Sequence, residues 1–129
     1  ADKNPSLIDG DFGVKLNQPA GVLTVTGYND DYTLMTITPP HPSSVFQTYS
    51  VNVDKDTKTV SGINAISVVS DEKSCNDKKD QIFNDYKQKY NNIYRTEGYL
   101  NKNTRFIGFD NATIQFSCND NVVVSYSKR

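Results

Sequence analysis

Two cysteines, one histidine and two glutamates bound the chemistry open to this chain of 129 residues. A Ser/His/Asp triad would have to take its base from His41, which sits between Pro40 and Pro42 on a stretch no sheet interior can hold. Glu72 and Glu97 fall in a helix's first turn and in a polar loop, not in an apolar pocket that would raise a carboxyl pKa for glycoside hydrolysis. Asp30–Asp31 and Asp54–Asp56 read as turn residues, because neither run alternates oxygen ligands around a glycine as a calcium loop does. With one histidine and two cysteines, no transition-metal set suggests itself, and no glycine-rich phosphate loop is present. The residues therefore predict no enzyme, no cofactor and no metal.

Cys75 and Cys118 are the chemistry that remains. Cys75 lies on the apolar face of a helix, and Cys118 lies in phase with Ile114 and Phe116 on a strand. Both sulfurs are thereby aimed at one helix–sheet seam, which predicts a disulfide closing a loop of about 44 residues and contributing roughly 4 kcal/mol. The rival reading is a pair of buried free thiols in a reducing compartment.

The elements that position these groups follow from periodicity. Residues 70–93 are the one stretch with sustained helical spacing. Cys75, Lys79, Ile82, Phe83, Tyr86, Tyr90 and Ile93 share a face, with Ser70 or Ser74 as the cap. Period-two alternation predicts strands over 11–17, 22–26, 32–38, 46–54, 58–69, 104–109, 112–118 and 122–126. Residues 1–10 are expected to fray, 39–44 to form a stiff proline-rich loop, and 94–103 to form a polar loop with interleaved aromatics. Gly62 suggests a bulge or a close approach to the helix. The expected fold is a single α+β domain over 1–129. It is a curved antiparallel sheet of about six to eight strands, strongly curved or partly barrel-like, with one long helix packed on it.

Charge excludes some partners. The net charge of -1 gives no pull toward nucleic acid, and no apolar run approaches the length of a membrane span. Residues 1–70 carry four lysines against seven aspartates, while 93–129 carry five cations against three acids. The start at Ala1 is what a leader cut after a small residue would leave, so a periplasmic or secreted location is expected. Pro39–Pro42 matches P-x-x-P, and Asn111-Ala112-Thr113 matches a glycosylation acceptor; both read as connections. Two surfaces carry binding chemistry: the loop with His41, Ser43 and Ser44, and the stretch with Tyr94, Arg95, Tyr99, Lys102 and Arg105.

FGVKLNQP at 12–19, TPPHPSSVFQTYSVNV at 38–53, TVSGINAIS at 59–67, the helix opened by Cys75 and FSCNDNVVVSYS at 116–127 resemble a class of small exported domains of Gram-negative bacteria. Those domains share a strand hairpin, a Cys-bearing helix and a terminal hairpin with the second Cys. The chain departs from them at Asn17, where Gly is expected, and at Asn91–Asn92, where a helix-ending Gly is usual. In kind it is also similar to bacteriocin immunity proteins that block a cell-wall hydrolase, and to lysozyme inhibitors of the envelope. The resemblance implies a non-catalytic periplasmic protein that occludes the active-site cleft of a lysozyme-like toxin. The alternative is an envelope structural or adaptor module, dimeric through a strand edge. An enzyme with an unrecognised site built on His41 is the third reading.

Overall fold

In the computed structural model, which describes residues 5–129, the helix is α1, Glu72–Lys89. Around it stand β1 (Gly10–Asp11), β2 (Val14–Lys15), a 3₁₀ turn (Ala20–Val22), β3 (Thr24–Tyr28), β4 (Leu34–Thr38), β5 (Thr48–Val53) and β6 (Val60–Ser67). After α1 come β7 (Thr96–Asn101), β8 (Thr104–Gly108), β9 (Ala112–Asn119) and β10 (Asn121–Lys128). Eight strands form one antiparallel sheet in the order β3-β4-β5-β6-β10-β9-β8-β7, and β1 and β2 pair separately.

The helix is the crossover of this topology. Strand β6 ends at the middle of the sheet and β7 begins at its far edge, four strands away, or about 19 Å at the usual strand spacing. An 18-residue helix is about 27 Å long, enough to cover that distance while burying one face on β8, β9 and β10. The chain then returns strand by strand until β10 pairs with β6. Because β3 and β7 stay at opposite edges, the sheet is open, not barrel-like or strongly curled.

The helix is capped by Asp71, whose carboxylate accepts from Ser74 N at 2.8 Å, and not by Ser70 or Ser74. An ionised carboxylate is the stronger acceptor for the first-turn amides. Cys75, Lys79, Ile82 and Phe83 are buried as predicted, and Tyr90 closes the face. Ile93 is 40% exposed, because the helix has ended before its turn would face inward. Asn17 and Asn92 take φ of 73° and 72°, the left-handed region where Gly is most at ease and which Asn tolerates.

Three expectations are corrected. Residues 11–17 are no continuous strand: Phe12 and Gly13 turn the chain between β1 and β2, although Phe12, Val14 and Leu16 are all buried. The stretch 94–103 is not a loop but contains edge strand β7, hairpinned to β8, where water on one side erases most of the alternation signal. Residues 6–8 are docked: Ser6 and Ile8 are buried, and Ile8 exchanges hydrogen bonds with the Asn111 amide at 3.1 and 2.7 Å. The rest of the expected fray, residues 1–4, lies outside the described residues. Gly62 does mark a close approach, but to strands: a Cβ there would stand 2.8 Å from Asn52 Oδ1 and 3.0 Å from Tyr126 O, beside a register shift between β5 and β6.

Cys75 and Cys118 form a disulfide with Cα atoms 5.6 Å apart, tying the first turns of α1 to β9. Replacing both by Ser should lower the unfolding free energy by about 3–4 kcal/mol. Equal urea midpoints for the oxidised protein and the double variant would contradict this.

Candidate functional site

A groove of about 240 Å³ runs between α1 and the 41–46 loop, walled by Phe12, Phe46 and Ile82 and rimmed by His41, Ser43, Asp85 and Lys89. Beneath it, three distant parts of the chain meet around Asp11. Asp11 Oδ2 accepts from Tyr126 Oη at 2.7 Å and from Tyr86 Oη at 3.1 Å, while Oδ1 accepts from Phe12 N at 2.8 Å. Tyr90 Oη lies 3.4 Å from Tyr126 Oη. Lys89 Nζ stands 3.9 Å from Asp11 Oδ1 and over the rings of Tyr86 and Tyr90, with centroid distances of 5.6 and 5.1 Å.

Burial, and then the Asp11 charge, push the Tyr86 phenol far above its ordinary pKa. Burial does the same to Tyr126, aided by Tyr86 and Asp11. Both tyrosines are therefore neutral donors that hold the carboxylate.

The loop beside the groove is rigid for reasons visible bond by bond. Tyr49 Oη accepts from Ser43 N at 2.7 Å and lies 2.8 Å from the Ser43 carbonyl, to which it donates. His41 N donates to Phe12 O at 3.0 Å, and Pro39 is buried. The Ser43 hydroxyl accepts from Val45 N at 3.2 Å within the loop's own turn. Phe12 packs edge-on against Phe46 and Tyr49, at 5.5 and 5.0 Å between ring centroids. Gly13 is required here: its φ is 79°, and a Cβ would meet His41 Cδ2 at 2.7 Å and Pro40 Cβ at 2.8 Å.

The predicted binding residues separate onto two flanks of α1. His41, Ser43 and Ser44 stand on the groove side, with His41 and Ser44 exposed. Tyr99, Lys102 and Arg105 belong to the β7–β8 hairpin on the other side, where Tyr99 is 60% exposed. The Arg105 guanidinium stacks between the rings of Phe83 and Tyr99, at 3.8 and 4.6 Å, and reaches Asp80 Oδ1 at 3.3 Å. Arg95 and Tyr94 hold the base of that hairpin. Tyr94 packs on the core, and Arg95 meets Asp110 with two bonds of 3.0 Å. That pairing, with Ser6 N, lowers the Asp110 carboxyl to about 2.

Asp11, Tyr86, Lys89 and Tyr126 are absent from the set chosen by sequence. Tyr86, Lys89 and Tyr90 recur at helical spacing and could have been grouped. Asp11 gives no local signal, since its partners lie 75 and 115 residues away.

Among the described residues, no group of three or more His, Cys, Asp or Glu could hold a metal ion, and no helix is long and apolar enough to cross a membrane. No family model, curated protein or solved structure matches the chain.

The buried phenols carry a pH signature. An unfolded tyrosine ionises near pH 10, whereas Tyr86 and Tyr126 stay neutral in the fold, so their contribution is whole below about pH 10 and is lost as pH climbs above it. Tyrosinate absorbance should show a fraction of the eight tyrosines ionising only together with alkaline unfolding. Asp11→Asn should cost about 1–3 kcal/mol by removing the charged acceptor. A titration in which every tyrosine ionises before the fold is lost would contradict the assignment.

Proposed function

We propose that the protein is a non-catalytic inhibitory binding protein of the bacterial periplasm. In this reading it is an immunity protein that occludes the active-site cleft of a cell-wall-degrading, lysozyme-like toxin, in the manner of the pesticin immunity protein. The observation that carries the reading is the 39–46 loop. It is locked from beneath by Tyr49 and Phe12, and it projects His41 and Ser44 into solvent. A loop already held in one shape docks into a cleft without a large ordering cost. Hydroxyls and an imidazole, with Lys89 beside them, complement the carboxylates that line such a cleft. The disulfide fits an oxidising compartment.

The test is to express the chain behind an export leader in bacteria challenged with a panel of wall-lytic toxins, and to co-purify the complex. Protection is expected, and His41→Glu with Ser44→Glu should weaken the complex at least about tenfold by placing carboxylates against carboxylates. Absence of both protection and a complex would sink the reading.

A second reading has its own support. The two free edges at β3 and β7 suit an envelope adaptor that dimerises by strand pairing. Light scattering separates the two: a stable dimer that persists on dilution favours the adaptor, and a monomer that pairs only with toxin favours the inhibitor.

A further inference from the structure

The sheet has a second face, opposite the helix, and the strand register defines what it carries. One row crosses six neighbouring strands as Thr36, Ser50, Asn64, Ser125, Gln115 and Phe106, each paired to the next. The strand positions in the rows to either side hold only Thr, Ser, Asn, Gly, Ile, Val and Leu. In a chain with 14 basic and 15 acidic side chains, none of these strand positions is charged. The Arg129 guanidinium reaches the face only at its rim, beside Gly108.

The polar groups on this face are bonded to one another across strands. The Asn64 amide donates to Ser50 Oγ at 3.2 Å and to Asn52 Oδ1 at 2.9 Å, and its oxygen accepts from Ser125 Oγ at 2.9 Å. Thr104 and Ser117 hydroxyls pair at 3.2 Å. At the β8 end of the row the half-buried Phe106 ring lies beside Gly98, where a Cβ would crowd it at 3.3 Å from Cε1.

We infer that this face binds an uncharged glycan chain. Nucleic acid requires cations at the contact, and a membrane surface favours cations around a broad apolar face. Protein interfaces concentrate aromatics, Met and Arg at their centre, and this face has one aromatic ring and no Arg in its strands. A neutral sugar chain needs the reverse: amides and hydroxyls that both donate and accept, held at fixed spacing, and a ring for the apolar side of a pyranose. The lack of charge therefore favours a neutral, hydroxyl-rich partner, and the cross-strand bonds fix Asn64 and its neighbours Ser50, Asn52 and Ser125 in advance of binding. Seven strand spacings make the face about 34 Å wide, room for a chain and not merely a single sugar.

The experiment uses the full disulfide-bonded chain and two probes, hexamers of N-acetylglucosamine and of glucose, followed by amide chemical shifts. At least one hexamer should shift resonances along the Thr36–Phe106 row. Phe106→Ala and Ser125→Glu should each weaken that binding at least about tenfold, while Lys55→Ala leaves it unchanged. Circular dichroism confirms that the variants stay folded, and a variant that does not is replaced by Gln115→Glu. Shifts confined to the helix-side groove, no binding of either hexamer at concentrations on the order of millimolar, or equal affinity for an anionic polysaccharide would each overturn the inference. So would a dimer that Ser125→Glu disperses, since the occupant would then be a second copy of the chain.

Discussion

A single carboxylate, that of Asp11, sets how the rest of the molecule comes together. It is only 16% exposed, and it receives phenols from α1 and from β10 while its own residue closes the β1–β2 turn. Burying a charge is costly unless hydrogen bonds replace its water, and here two phenols, one backbone amide and a nearby ammonium do so. The geometry tolerates little freedom. If the hairpin, the helix or the last strand shifts, the carboxylate loses a donor in a place water reaches poorly. The hairpin turn then holds the proline-rich loop through His41 N and the Phe12 ring, so the surface read as a binding site inherits its position from this buried anion.

The helix is accordingly fixed at both ends by different means. Near its start the disulfide joins it covalently to β9, and near its end Tyr86 and Tyr90 reach Asp11 and Tyr126. Between them Phe83 packs edge-on against Phe116 at 5.3 Å, and Tyr86 meets the same ring at the same distance. Lys79 is 2% exposed, and its ammonium finds Asn76 Oδ1 at 3.1 Å and Asp80 Oδ1 at 3.7 Å near the surface. A long side chain can bury its stem in this way while its head stays paired. The outlying ion pairs, Lys73–Asp77 and Lys87–Glu97, add little, since water and salt screen pairs that lie at the surface.

Much of this architecture was legible in the chain. The helix, its buried face and its bond to β9 followed from spacing alone, because each is a local pattern with one strong period. Strands β5, β6, β9 and β10 were equally plain, having a buried row on one side and a polar row on the other. What escaped was set by distance or by water. The edge strand β7 reads as a loop because Tyr99 and Leu100 are both exposed, and the hidden role of Asp11 depends on Tyr126 at the far end of the chain. The proposed binding surfaces were legible only as residue types. Arg95 and Arg105, chosen as residue types that make binding hot spots, are engaged with Asp110 and with Asp80 and two rings.

The order of the strands has a consequence for how the protein is made. Strand β10 follows all the other strands in chain order, yet it is one of the two central strands of the sheet, and it alone joins the four strands before α1 to the three between α1 and itself. The last residue of the Asp11 cluster, Tyr126, lies on that strand. Without β10, the strands before α1 form a four-stranded half-sheet whose β6 edge is open as well as β3, and the helix lacks part of its bed. Completion waits for residues 121–128 and for pairings of long sequence separation, which form slowly. The two halves of the sheet are thus joined late, and until β10 arrives the unpaired edge of β6 is the place where a wrong strand could add.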